Sequence, residues 1–301
     1  MEEYNKVLEI DGLSKSYGKV KALDDIDVYV PKGKVAGLVG PNGAGKTTLI
    51  KCVNGFLDYT GNINVMGFSD VDQIKQKVGY LAEDEGYYSD WTASEYLQYF
   101  SKLYLLDDEK RKIEEKLELV GLYDRKDGLI KEYSNGMKKR LGLARTLLHE
   151  PNLLILDEPL AGLDPKIKYE LTQLIRSIGK GEKSVLISSH QLKDIEEICD
   201  WIIFIKNGEV VKYGDPKSIS QAIRSQKTIV FDINNPDDIM INELEDIESI
   251  TESKIKENTL IVKGNKAENF EKDIFMWLIK NDVDFSLRHG SLDDMYREIL
   301  K

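Results

Sequence analysis

The sequence predicts an α/β fold: a mostly parallel sheet with helices, an antiparallel β part at one side, and a small α+β domain at the C-terminal end. Three observations predict it. Short apolar, β-branched runs alternate with helical patterns through the first two-thirds of the chain. A Gly-rich turn, GPNGAGKTT, joins one such run to a helical segment. From about residue 217 the texture changes to short alternating runs around an acidic stretch.

Taken in order, DDIDVYVPKGKV alternates polar with apolar residues and carries Pro-Lys-Gly, which suggests antiparallel strands. KVAGLV (34–39) runs into the Gly-rich turn and then the helix-like KTTLIKCVNGF. KVGYLA (77–82) precedes the long helical stretch TASEYLQYFSKLYLL. NLLILD (152–157), SVLISS (184–189) and WIIFIK (201–206) read as strands buried on both faces of a parallel sheet. Farther on, KTIVFDI and NTLIVKG flank NELEDIESITES, followed by amphipathic helices near ENFEKDIFMWLIK and at SLDDMYREILK. In the last, Leu292, Met295, Tyr296 and Ile299 fall at helical spacing, a stripe suited to core packing. The expected organisation is one domain over 1–216, with a helical subdomain at about 84–150, and a small one over 217–301.

A chain of 301 residues can bury a proper core in one large domain or two medium ones. Its 41% hydrophobic and 32% charged residues are those of a soluble globular protein. A net charge of -11 argues against broad electrostatic binding to nucleic acid or anionic lipid. Cys52 and Cys199 sit in apolar settings and read as buried thiols, which fits a reducing cytosol. No secretory signal opens the chain, and no stretch approaches the roughly 18 apolar residues that span a bilayer. A membrane role is therefore expected to come through a partner.

GPNGAGKTT (40–48) follows a predicted strand and opens a predicted helix, which fits the phosphate-binding pattern G-x-x-x-x-G-K-[ST]. Gly40, Gly43 and Gly45, with Pro41, Asn42 and Ala44 between them, let backbone N–H groups curl around phosphate oxygens. The helix N-terminus adds its dipole, Lys46 reaches the β- and γ-phosphates, and Thr47, followed by Thr48, can ligate Mg²⁺. LLILDEP (153–159) puts Asp157 and Glu158 at a strand's C-terminal end, where open α/β sheets bind ligands. Alone, the pair could be only a polar strand exit. Beside a phosphate loop, Asp157 suits the Mg²⁺ shell and Glu158 can polarise an attacking water. His190 ends SVLISSH and could reach the γ-phosphate and that water, although a lone His is usually a surface or satisfied core residue. His149 and His289 have no such setting.

With the phosphate loop, LILDEP, AGLD (161–164) and SSH in this order, residues 4 to about 215 resemble an ATP-binding cassette (ABC) transporter ATPase. The resemblance implies a P-loop NTPase core, an antiparallel β subdomain and an α-helical signature subdomain. It also implies ATP and Mg²⁺ as cofactors and a site completed across a homodimer, or a heterodimer with a similar ATPase. YSNGM stands where the family carries its LSGGQ signature, so Ser134, Asn135, Gly136 and Met137 are expected to cover the partner's γ-phosphate. As a lone sequence the stretch is a helix cap, with Ser134 as the N-cap residue. Tyr17 matches the aromatic that stacks on adenine, and Asp164 matches the carboxylate of the loop bridging the two sites.

Two departures matter. Glu83 stands where many members have Gln; it can ligate Mg²⁺ but adds negative charge near the phosphates. Asn135 replaces the first signature Gly, and Asn tolerates left-handed backbone geometry better than most residues. Together with GYLAEDEG and SLDDMYREIL, these departures resemble the bacterial type-2 exporter branch. The implied function is an ATP hydrolase at the cytoplasmic face of the membrane that drives export through separate integral membrane permease subunits, without nucleic acid. The aromatics Tyr87, Tyr88, Trp91, Tyr96, Tyr99 and Phe100 suit a docking groove for such a subunit, though subdomain packing accounts for part of them. The alternatives are an importer ATPase, a soluble ABC-type ATPase acting on nucleic acid or ribosomes, and a nucleotide-binding scaffold that does not hydrolyse.

Overall fold

The computed structural model describes residues 5–180, 183–219, 228–234, 244, 246–256, 258–264 and 270–288. The chain separates into two compact units, Met1–Tyr213 and Gly214–Lys301. In the first, β1 (Lys6–Tyr17), β2 (Val20–Pro31) and β4 (Thr60–Val65) form an antiparallel sheet ordered β2-β1-β4. The alternation in DDIDVYV is that of a strand with one covered face: Ile26, Val28 and Val30 are buried while Asp27 is exposed. Its antiparallel partner is the preceding strand, not the segment after Pro-Lys-Gly. Gly33, at φ 69, turns the chain instead into β3 (Val35–Val39) of a different sheet.

That second sheet has six strands in the order β5 (Val78–Leu81), β6 (Leu153–Leu156), β7 (Ser184–Ser189), β3, β8 (Trp201–Lys206), β9 (Glu209–Gly214). The neighbours from β5 to β8 are parallel. Every residue of β3, β6 and β7 is buried, which is why these runs read as continuously apolar rather than alternating. Asn207 and Gly208, at φ 51 and 83, form a two-residue turn that folds β9 back beside β8. Ile10, Leu13 and Ile26 from the first sheet share one core with Leu49 and Ile50 of α1 (Lys46–Val53) and Ile155, Leu186 and Ile203 of the second. Each such side chain contributes about 1.5–3 kcal/mol on burial.

The remaining helices of this unit are α2 (Val71–Lys77), α3 (Ala93–Leu103), α4 (Glu109–Leu119), α5 (Asn135–Leu147) and α6 (Pro165–Gly179). A capping box starts α3: Thr92 accepts from the Glu95 N–H while the Glu95 carboxylate accepts from the Thr92 N–H. The helix stops short of the predicted run because Leu105 takes φ 53, a conformation a right-handed helix cannot continue through.

In the second unit β11 (Ile250–Lys256), β12 (Thr259–Gly264), β10 (Thr228–Ile233) and β13 (Phe285–Arg288) form an antiparallel sheet in that order. Helix α7 (Phe270–Lys280) buries Phe270, Ile274, Trp277 and Leu278 in a core with Phe231, Leu260 and Val262. KTIVFDI and NTLIVKG contain β10 and β12, and ENFEKDIFMWLIK contains α7. The helix expected at SLDDMYREILK lies outside the described residues, as does His289. Among the described residues no helix is long and apolar enough to cross a membrane.

Candidate nucleotide site

Three neighbouring parallel strands, β6, β7 and β3, end level with one another. Leu156 pairs with Ile187, and Leu38 and Val39 pair with Ser188 and Ser189. Their C-terminal exits therefore deliver Asp157 and Glu158, His190, and the Gly40 loop to one edge of the sheet. A cavity of about 360 Å³ opens there, lined by Ala22, Asn42, Gly43, Gly45, Lys46, Thr47, Thr48, Glu83, Glu158 and His190.

The phosphate loop enters α1 through Gly45 at φ 108, a backbone that a side chain would strain; a Cβ there would also lie 2.8 Å from the Ala22 carbonyl. Gly45 gives the helix no side-chain cap, so the first N–H groups of α1 remain for an anion. Gly40, Pro41 and Ala44 shape the loop from behind. The Gly40 and Pro41 carbonyls accept from Lys46 Nζ at 2.8 and 3.2 Å, and Ala44 is buried.

Lys46 and Glu158 are each only 6% exposed, and Nζ lies 3.4 Å from Oε1. The other Glu158 oxygen accepts from His190 Nδ1 at 2.9 Å, so Nδ1 carries the proton and Nε2 faces the Gln191 amide at 3.1 Å. Glu158 itself stands at φ 45, in the left-handed region that costs a side-chain-bearing residue free energy and is seen at functional turns. Asp157 is fully buried; Oδ1 accepts from Ser188 Oγ at 2.6 Å, while Oδ2 has no hydrogen-bond partner among the described residues. Ser188, the first residue of the SSH run, has a role that the sequence does not assign: its hydroxyl lies inside an otherwise apolar strand, where nothing in the spacing gives it a partner.

An orphaned, buried carboxylate oxygen suits a hard cation such as Mg²⁺; Asp157 itself does not line the cavity, whereas the other two expected ligands, Thr47 and Glu83, do. No group of three or more His, Cys, Asp or Glu forms a cation site by itself among the described residues. The Glu83 side chain is exposed on the cavity wall. Its carbonyl accepts from Lys139 Nζ at 2.5 Å, and burial holds that ammonium below its ordinary pKa despite Glu83, Asp84 and Glu85.

The other expected residues stand apart from this cavity. Tyr17, 48% exposed, ends β1 outside its lining, with Lys15 Nζ 5.5 Å from its ring. Ser134 caps α5, its Oγ accepting from the Met137 N–H at 3.3 Å. Asn135 is the first helical residue and not one of the positive-φ residues, so left-handed tolerance is not what admits Asn here. The helix needs a small residue one position later. A Cβ on Gly136 would lie 2.6 Å from the Ile167 side chain in the first turn of α6, the turn Asp164 caps by accepting from the Ile167 N–H.

The aromatic cluster divides. Tyr96 is wholly buried, and Tyr87 donates from its hydroxyl to the Lys138 carbonyl at 2.6 Å. Tyr88 and Tyr99 are exposed around Trp91, which stacks on Tyr88 at 4.2 Å.

Residues 23–161 match the protein family described as ABC transporter. The chain is 38% identical to the bacitracin transport ATP-binding protein BcrA of Enterococcus faecalis, over 76% of this chain and 75% of that one. It is 30% identical to the linearmycin resistance ATP-binding protein LnrL of Bacillus subtilis (strain 168), over 87% and 86%. A solved ATP-binding subunit of an ABC transporter superposes with a TM-score of 0.66 at 29% identity, covering 72% of this chain and 93% of that one. The chain belongs to the ATP-binding proteins of the ABC transporter family.

Proposed function

We propose that this chain is the ATP-hydrolysing subunit of an exporter of the bacterial type-2 branch, dimerising on ATP and acting through separate membrane permease subunits at the cytoplasmic face. The observation that carries the reading is the Lys46–Glu158–His190 constellation beside the phosphate loop, with Lys46 and Glu158 buried and His190 half-buried. In it the loop and Lys46 bind the β- and γ-phosphates. Glu158, released from Lys46 by the phosphate, accepts the proton of an attacking water, and His190 orients that water against the γ-phosphate. Thr47, Asp157 and Glu83 would hold Mg²⁺, which supplies charge neutralisation at the phosphates. Ser134 through Met137, at the start of α5, would close over the nucleotide of a second copy, with Asp164 in the loop between the two sites and Tyr17 against the adenine.

Because the γ-phosphate is then held from both sides, hydrolysis parts the subunits; the interface is the bistable element. The ladder of exposed Tyr88 and Tyr99 around half-buried Trp91 suits the docking of a permease helix. Export rather than import is supported by relatives named for bacitracin transport and linearmycin resistance, and by the YSNGM form of the signature. Residues 1–216 form the catalytic domain of this proposal and 217–301 an accessory one. The test is to tag the chain, solubilise membranes gently and identify what co-purifies. A multi-span membrane protein is expected; ribosomes or nucleic acid alone would overturn the transport reading.

A further inference from the structure

We infer that Ser188 is a positioning residue for hydrolysis: from the neighbouring strand, its hydroxyl holds the Asp157–Glu158 turn in the backbone conformation that aims the Glu158 carboxylate. The inference rests on the hydrolytic reading above. Ser188 is 1% exposed on β7, one strand over from the pair. Its hydroxyl proton goes to Asp157 Oδ1 at 2.6 Å, and its oxygen accepts from the Glu158 N–H at 2.8 Å. A single hydroxyl thus serves both members of the pair, one by its side chain and the other by its backbone.

The turn needs such a tie. Glu158 stands at φ 45, which surrounding structure must impose on a residue with a Cβ. On the far side the Asp157 N–H donates to the Leu81 carbonyl at 2.9 Å, so Ser188 and β5 grip the turn from opposite edges. Without the hydroxyl, Asp157 would lose its Oδ1 partner while Oδ2 already lacks one, and the Glu158 N–H would lose its acceptor. The adjacent Ser189 differs, because among the described residues its hydroxyl bonds Gln191 alone, two residues on. Nor does Ser188 line the nucleotide cavity. Removing it leaves Lys46 and the phosphate loop intact and disturbs the aim of the base, so kcat falls while ATP binding persists.

The experiment measures kcat and KM for ATP in Ser188→Ala and Ser188→Thr, each also in a Glu158→Gln background by single-turnover hydrolysis. Thermal melting and fluorescent-nucleotide binding on the same full chains report folding. Ser188→Ala is expected to lower kcat about 10- to 100-fold, with KM within about threefold. In the Glu158→Gln background the further loss should shrink to less than about threefold, because Ser188 acts through Glu158. Ser188→Thr, which keeps the hydroxyl, should recover most of kcat. An equal loss in both backgrounds, a rise in KM with kcat intact, or a Thr variant as poor as Ala would overturn the inference. Substantial turnover by Glu158→Gln alone would overturn the hydrolytic reading itself.

Discussion

Lys46 and Glu158, one from the phosphate loop and one from the end of β6, neutralise each other at 3.4 Å in a setting nearly closed to water. With His190 on its other oxygen, the carboxylate holds the two groups expected to meet a γ-phosphate. A bound nucleotide must compete with Glu158 for Lys46, and in doing so it frees the base for water.

Lys46→Ala therefore acts twice. ATP binding by calorimetry should be lost, and the nucleotide-free protein should lose about 3–5 kcal/mol of stability, because a buried carboxylate is left without its cation. Adding Glu158→Gln should restore most of the melting temperature without restoring binding. A single Lys46→Ala variant as stable as the parent would show that the pair carries no weight in the fold.

Ser134 is exposed and caps α5. Ser134→Arg should cost about 1 kcal/mol for the lost cap, keep ATP binding by the monomer, and abolish the ATP-dependent dimer on gel filtration. Unchanged dimerisation would remove YSNGM from the trans site.

Glu83 presents a carboxylate at the cavity wall, while its attachment to Lys139 runs through the backbone carbonyl. Glu83→Gln should leave that attachment in place and remove a negative charge near the phosphates. Hydrolysis at saturating Mg²⁺ should stay level or rise, with a lower KM for ATP. Complete loss of turnover would show that the carboxylate is required.

His149 is packed beside Tyr104, its Nε2 donating to the Val78 carbonyl at 3.1 Å, and burial pushes its pKa below the ordinary 6.5. The folded chain thus holds the neutral ring and the unfolded chain binds the proton more readily. Stability is present above pH 6.5 and declines as pH falls below it. His149→Gln should flatten that decline in urea titrations between about pH 7 and 5.5. Equal slopes for the two proteins would exclude His149 as a source.

Much of this arrangement was legible in the residues. Doubly buried strands announce themselves as apolar β-branched runs, and their parallel order brings Lys46, Glu158 and His190 together once the exits are known to share an edge. Pairing was less legible. The antiparallel partner of β2 is the strand before it because Gly33 sends the chain to another sheet, a choice made by long-range packing. Ser188 stood only as part of SSH, with no role of its own, because a buried hydroxyl matters only through the neighbouring strand it faces. Asn135 departs from the left-handed expectation for a local reason: Ser134, not Asn135, is the residue outside the helix, so position 135 takes a helical backbone and the small residue is required at 136.

The most direct measurement compares ATP turnover and ATP binding in the purified chain and in Glu158→Gln, with Mg²⁺ present. Turnover should fall at least about 100-fold, while nucleotide binds as well or more tightly and the ATP-bound dimer accumulates. Turnover within a few-fold of the parent would contradict the assignment of Glu158 as the base, and with it the account of the site.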